Sequence, residues 1–211
     1  MPYPSLIARL AASLLQTLPG AQAHQRLSPA LRFPPHLPMP DQRKARQSAV
    51  LLLLYPSIDA QWHIALMQRN PNSRHHAAQI SLPGGGIEPQ DADLNATALR
   101  ETSEEFGIDT GSIQVLGALS PIYIPVSNAK VQPFVGYCPQ RPNFIPDPRE
   151  VAAILEIPLA ELLDPQSLGT ARVESGLNLF ITVPCFRLQG HVVWGATAMM
   201  LSEFIAIATT E

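Results

Sequence analysis

Cysteine, charge and long apolar runs are all scarce in this chain. Two cysteines, Cys138 and Cys185, occur in 211 residues, too few for a disulfide scaffold. Neither has a Cys or His at zinc-ligand spacing, so both read as small apolar residues in a reducing compartment. Asp, Glu, Lys and Arg make up 15% of the chain, and 14 basic against 17 acidic residues leave a formal net charge of −3. No global positive field exists to recruit nucleic acid or an anionic membrane surface. The longest strongly apolar run, residues 50–55, has strand length and falls well short of the ~18 residues a membrane helix needs.

What remains is a globular composition, 46% hydrophobic, of a length suited to one domain with an appendage. Proline is abundant, with 22 residues, roughly twice the average usage, and many proline-bounded turns follow. They crowd the N-terminal segment at Pro29, Pro34, Pro35, Pro38 and Pro40, where they favour extended or turn structure. Ala21-Gln22-Ala23 has the form of a signal-peptidase site, but the stretch before it carries Arg9 and Gln16 and makes a poor apolar core for a signal. Leu6, Ile7, Leu10, Leu14, Leu15 and Leu18 recur instead at helical spacing. Residues 1–45 therefore read as a Pro-rich arm with one amphipathic helix, and residues 46–211 as the main domain. The basic cluster Arg43, Lys44 and Arg46 reads either as a solvated edge or as a contact to substrate phosphates. No targeting signal is evident, which points to the cytoplasm.

Along the main domain, periodicity predicts strands at 49–55, 62–68, 79–82, 115–119, 130–138 and 152–157, and a late hairpin at 179–187 and 191–193. Residues 70–77 read as a polar loop and 158–163 as a helical turn. Helices are expected at 95–106, with Asp93 as N-cap and Gly107 as its stop, and at 196–207. Strands outnumber helices and alternate irregularly with them, which gives an α+β class with a mixed sheet.

The informative stretch runs from Pro83 to Ile108. On a helical wheel with Glu101 at zero, Glu105 falls at about 40° and Glu104 at about 300°, while Asn95, Ala98, Leu99, Thr102 and Phe106 lie between about 60° and about 160°. A small, mostly apolar face thus adjoins a face with three carboxylates. Like charges at these spacings repel, and they crowd the helix C-terminus, where the macrodipole disfavours them. A hard divalent cation removes the conflict, because Mg²⁺ binds through a few carboxylates and phosphate oxygens. The glycines at 84–86 let backbone approach a metal or a phosphate.

Here the chain resembles the Nudix hydrolase family, whose signature is G-x5-E-x7-R-E-U-x-E-E-x-G-U with U a bulky aliphatic. Arg100-Glu101-Thr102-Ser103-Glu104-Glu105-Phe106-Gly107-Ile108 matches the second half except at Thr102. The first half fits with one inserted residue, as Gly85, five residues, Asp91, eight residues, Arg100. The resemblance implies a Nudix-like α/β/α sandwich with a central mixed β-sheet. It implies metal ligation by Glu101, Glu104, Glu105 and the Gly84 carbonyl, with Arg100 orienting a glutamate. The metal would be Mg²⁺ or Mn²⁺, and the reaction hydrolysis of a nucleoside diphosphate linked to another moiety.

Upstream, residues 65–85 resemble the coenzyme A pyrophosphatase branch, L-L-T-x-R-S/A-x3-R-x3-G-x3-F-P-G-G. Arg69 and Arg74 are in register with its two arginines, while Ala65, Met67, Asn70, Ala78 and Leu82 depart from it. Later fragments, among them Pro125-Val126-Ser127 and Trp194-Gly195-Ala196-Thr197-Ala198, resemble the same branch in order and spacing. The implied substrate is coenzyme A or a derivative, cleaved to 3′,5′-adenosine bisphosphate and 4′-phosphopantetheine. Arg69, Arg74, His75, His76, Gln79 and Gly85 are the candidate substrate contacts. Glu150 or Glu104 would activate the water, with Asp147 and Glu156 as weaker candidates. Other nucleoside diphosphate derivatives (ADP-ribose, a dinucleotide, a sugar nucleotide) and a non-catalytic nucleotide-binding module remain alternatives. The expected partner is a small nucleotide, not nucleic acid or a membrane, and the Pro-rich arm is a candidate strap for a homodimer.

Overall fold

In strand β1 (Arg46–Pro56), leucines fill positions 51–54, so neither face can be left to water. The computed structural model, which describes residues 3–30, 33, 37–71, 79–174 and 180–209, shows how this is resolved. β1 lies in the middle of a mixed sheet. It runs parallel to β7 (Ala129–Tyr137), with Arg46 opposite Ala129 and Leu54 opposite Tyr137. It runs antiparallel to β2 (Trp62–Arg69) and to β4 (Gly84–Gly86). Outward from these lie β3 (Ile80–Ser81) and β8 (Val151–Pro158) on β2, and β5 (Gln114–Ala118) and β6 (Ile122–Ile124) on β7.

Successive β1 side chains enter two different cores. Leu51, Leu53 and Tyr55 pack with Ala65, Met67, Ala98 and Phe106 beneath helix α3 (Leu94–Phe106). Leu52 and Leu54 pack on the other side, in a core shared by α1 (Tyr3–Leu14), through Leu6, Leu10 and Leu14, and α5 (Gly195–Ala208), through Met200, Leu201 and Phe204. Between α1 and β1 lies α2 (Ala21–Gln25). After β8 come a helical turn, α4 (Leu159–Leu163), and an antiparallel sheet of β9 (Leu168–Glu174), β10 (Phe180–Leu188) and β11 (His191–Trp194). The architecture is the α+β sandwich expected, with a mixed sheet between helices.

Four elements differ from the sequence reading, the first being β6, a short strand that was not expected and that pairs with β7. The glycines at 84–86 form a strand as well as a turn. Gly84 has φ 151°, and a Cβ there would run into the Ala49 carbonyl and Val50, so only glycine lets this backbone lie against β1. β9 is polar and exposed at alternate positions, and it exists through its pairing with β10. The N-terminal segment holds a second helix, α2, where one was expected. Arm and α5 are joined by Glu203, which is fully buried in α5. Its Oε1 accepts the Gly20 N–H at 2.9 Å, and its Oε2 meets His24 Nε2 at 2.9 Å and the Ser120 N–H at 3.0 Å. Cys138 and Cys185 are free and buried. Among the described residues, no helix is long and apolar enough to cross a membrane.

Candidate active site

Helix α3 is positioned by its two ends. Asp93 Oδ1 accepts the Ala96 N–H at 2.8 Å. At the other end Gly107, with φ 63°, donates its N–H to Ser103 O at 2.8 Å. A Cβ on Gly107 would run into the Ile145 carbonyl, so the stop also lets the following loop fold back over the helix. With both ends held, the three glutamates of α3 fall into three environments.

Glu105 is buried, with a side chain 1% exposed. Its Oε2 accepts the Gly84 N–H at 2.7 Å, its Oε1 accepts no hydrogen bond, and Arg69 Nη1 stands 3.6 Å from Oε1. Burial pushes its pKa up to about 8, against the opposing pull of the Arg69 charge and the Gly84 N–H. Glu101 is mostly buried, its carboxylate occupying the space a Cβ on Gly85 would need. Burial raises its pKa too, opposed by Arg100. Glu104 is exposed.

Arg100 holds this group in order. Its Nε donates to Asp91 Oδ1 at 2.9 Å, and its Nη2 to Asp91 Oδ2 and Gly86 O, each at 3.0 Å. Its Nη1 lies 3.0 Å from both Glu101 Oε1 and Glu104 Oε2. The guanidinium keeps Asp91 well below the usual carboxylate range. Asp91, one residue out of the family's frame, thus sits where it fixes Arg100.

The donor set fits a hard cation. A buried carboxylate oxygen that accepts no hydrogen bond costs free energy, and Glu105 Oε1 lies in a site where burial also raises the pKa of the second carboxylate, Glu101. An ion bound by oxygen ligands would meet both needs. As they stand, among the described residues, no three Asp, Glu, His or Cys side chains are grouped closely enough to hold an ion. Arg100 Nη1 pairs with both Glu101 and Glu104 in this arrangement.

Of the other candidate acids, Asp147 is clamped by Arg149 and lowered to about 2, and Glu156, within β8, is paired with Arg141 at 2.7 Å and accepts from Tyr55 Oη at 3.1 Å. Glu150 is exposed and forms no ion pair among the described residues, yet its charge is near enough to raise both Glu101 and Glu105. Its carbonyl accepts the Asn70 N–H at 2.8 Å, which ties the loop to the end of β2 beside Arg69. Arg69 itself is mostly buried, and its Nε has no hydrogen-bond partner among the described residues. Arg74, His75 and His76 lie outside the described residues. Of the basic cluster before β1, Arg43 is exposed and pairs with Asp41 at 3.0 Å.

The sequence reading missed a cavity of about 240 Å³ beside this group. Its lining combines polar residues, Arg69, Gln79 and Ser81, with apolar ones, Ile124, Val126, Trp194, Ala196 and Met200. The apolar residues come from two distant parts of the chain, 124–126 and 194–200, and no local pattern shows that these meet in a cavity.

The family model for the NUDIX domain matches residues 45–174. The chain is 34% identical to an uncharacterized Nudix hydrolase, NudL, of Photorhabdus laumondii, over 82% of this chain and 91% of that protein. It is 38% identical to the human mitochondrial coenzyme A diphosphatase NUDT8, over 61% of this chain and 55% of that protein. Among solved structures, a MutT protein from Methanosarcina mazei superposes with a TM-score of 0.51 at 17% identity, over 80% of this chain and 99% of that one. That last likeness is one of fold.

Proposed function

The chain belongs to the Nudix hydrolase family, and from that premise we propose that it is a metal-dependent pyrophosphohydrolase of coenzyme A or its derivatives. The observation that carries the reading is the buried Glu105 oxygen that accepts no hydrogen bond among the described residues and faces the Arg69 charge beside the Gly84–Gly86 strand. It is a site made for a cation and a phosphate together. The substrate comes from the likeness to the human coenzyme A diphosphatase and from the arginine at position 69.

Glu101, Glu104, Glu105 and the Gly84 carbonyl would hold Mg²⁺ or Mn²⁺. Such an ion polarises the pyrophosphate and acidifies the attacking water. The protein's own groups do the rest. Arg100, fixed by Asp91, sets the positions of Glu101 and Glu104 and would release Glu104 to the ion. Arg69 offers its unpaired Nε and its Nη groups to a diphosphate oxygen. The Gly85 backbone and Gln79 line the approach, and Arg74 and His76 complete the proposed phosphate contacts. Glu150 is the general base we favour, because Asp147 and Glu156 are both neutralised by arginines while Glu150 is not.

The test is direct. Purified protein is incubated with coenzyme A and Mg²⁺ or Mn²⁺, beside Glu105→Gln, and the products are separated. Metal-dependent release of 3′,5′-adenosine bisphosphate and 4′-phosphopantetheine, lost in the variant, is the expected result. Intact coenzyme A, with turnover of ADP-ribose or a dinucleotide instead, overturns the substrate assignment and keeps the reaction class.

A further inference from the structure

Two consecutive residues at the end of β2 reach different parts of the candidate site. Arg69 Nη1 stands 3.6 Å from Glu105 Oε1. Asn70, just past the strand, clasps the turn that carries Glu150. Its N–H donates to Glu150 O at 2.8 Å, and its side-chain Nδ2 donates to Pro148 O at 2.9 Å. One residue thus holds a carbonyl on either side of Arg149. The turn has an inner frame too. Asp147 O accepts the Glu150 N–H at 3.1 Å and the Val151 N–H at 2.9 Å, and the Asp147 N–H donates to Glu105 O at 3.2 Å. That frame ties the turn to α3, and the Asn70 clasp ties it to β2. A bulge sets where the clasp closes. Gln68 lies opposite Ala153 but Arg69 opposite Val151, so Ala152 is one residue more than β2 can match. Val151 and Ile154, three apart, therefore both pack in the core beneath α3, and Glu150, next to Val151, is exposed.

Resting on the reading of Glu150 as general base, we propose that Asn70 is a positioning residue for the reaction: its side-chain amide holds the turn so that the Glu150 carboxylate stays beside Glu101 and Glu105. Asn70 acts through Glu150 and touches no reacting atom. Glu150 forms no ion pair among the described residues, so its place depends on how its backbone is held. Position 70 is also one where this chain departs from the branch pattern, which has Ser or Ala there. Alanine has no side-chain donor, and a serine hydroxyl sits on a shorter stem than the amide nitrogen. The clasp is therefore a feature of this chain's own sequence. Losing the amide leaves the backbone bond to Glu150 O in place, so the turn loosens without coming free. The effect should fall short of removing the base itself.

The experiment is a double-mutant cycle on coenzyme A with Mg²⁺, reading kcat and KM separately. Asn70→Ala removes the amide, and Asn70→Leu removes it while keeping the volume. Each is made in wild type and in Glu150→Gln, and all are checked for a wild-type melting temperature. Glu150→Gln should lower kcat by about 10²-fold or more, as loss of a general base does. Asn70→Ala and Asn70→Leu should each lower kcat by about tenfold in wild type, the cost of a misplaced catalytic group, with KM unchanged within about twofold. In the Glu150→Gln background the same substitutions should cost less than about twofold, because the group they position is gone. Wild-type kcat in both Asn70 variants overturns the proposal. So does the same tenfold loss in both backgrounds, which a merely structural role would give, and so does an effect mainly on KM, which would mean that Asn70 binds substrate. A Glu150→Gln protein as active as wild type removes the base assignment, and wild type that leaves coenzyme A intact removes the substrate reading. Both take the proposal with them, and both are seen without any Asn70 variant, which separates them from failure of the proposal alone.

Discussion

Among the described residues two glutamates are buried, one on each side of the central sheet, and their environments are opposite. On the arm side, Glu203 gives both oxygens to partners, Gly20, His24 and Ser120. Burial alone would raise its pKa, but those hydrogen bonds and the His24 interaction outweigh it and leave the group below its ordinary value of 4.5. On the α3 side, Glu105 has one N–H partner and one empty oxygen, and burial wins, carrying it to about 8. Equal burial therefore says little about role. A satisfied carboxylate fastens the fold, here by bolting the N-terminal arm to α5. An unsatisfied one holds free energy that a ligand can release.

The sharpest way to break this comparison is to neutralise each glutamate in turn. Glu105→Gln keeps the shape and removes a ligand charge. Hydrolysis should fall by about 10²-fold or more, as a loss of several kcal/mol of transition-state stabilisation implies, while the melting temperature of the metal-free protein holds or rises. Glu203→Gln should do the reverse, costing about 2–4 kcal/mol of stability through a broken buried network while the folded enzyme keeps kcat/KM within about threefold. Calorimetry and steady-state kinetics on both variants read this out. If Glu105→Gln destabilises as much as Glu203→Gln, Glu105 is a structural group like its counterpart.

The two sides should also answer pH with opposite signs. Glu203 has a folded pKa below 4.5, so the stability it contributes is present above about pH 4.5 and is lost as pH falls through the folded value. Glu105 has a folded pKa of about 8. Its contribution is full below about pH 4.5 and is lost as pH rises through about 8, a change of a few kcal/mol at most. Denaturant titrations of metal-free protein from about pH 3.5 to about 9 should show the acid-side loss shrinking in Glu203→Gln and the alkaline-side loss shrinking in Glu105→Gln. Saturating Mg²⁺ should flatten the alkaline limb of wild type, because binding favours the ionised carboxylate.

The α3 side was far more legible in the sequence than the arm side. Asp93, Gly107, Arg100 and the three glutamates lie within fifteen residues of one another, so local rules of capping and spacing apply to them. Even there, spacing could not rank the glutamates. A wheel separates Glu101 from Glu105 by about 40°, yet only Glu105 is sealed, since its burial depends on Gly84 and Arg69 from other strands. The arm side depends on partners far apart in the chain. Glu203 was visible only as a lone charge in an apolar helix, with His24 nearly the whole chain away. β4 and β9 escaped for a related reason, since a glycine run and a polar strand become strands only through what pairs with them. The cavity lined from residues 124–126 and 194–200 was legible only as two short family-like fragments, because nothing local shows that distant segments meet.

The smallest expected effect sharpens the comparison from within α3. Thr102 stands where the family pattern has a bulky aliphatic, and it is fully buried. A hydroxyl there should be costly, but Thr102 Oγ1 donates to Ala98 O at 2.7 Å, one turn back in the same helix. The polar atom is satisfied without calling on any other element, and the remaining surface is that of valine. Thr102→Val removes a donor whose acceptor, the Ala98 carbonyl, keeps its place in the helix, so stability should change by less than about 1 kcal/mol, with activity unchanged within about twofold. A loss above about 2 kcal/mol would mean the hydroxyl supports α3 through contacts beyond its own turn. Burial, in Thr102 as in Glu203, is harmless once each polar atom has a hydrogen-bond partner; of the three, Glu105 alone keeps an oxygen, Oε1, that accepts none among the described residues.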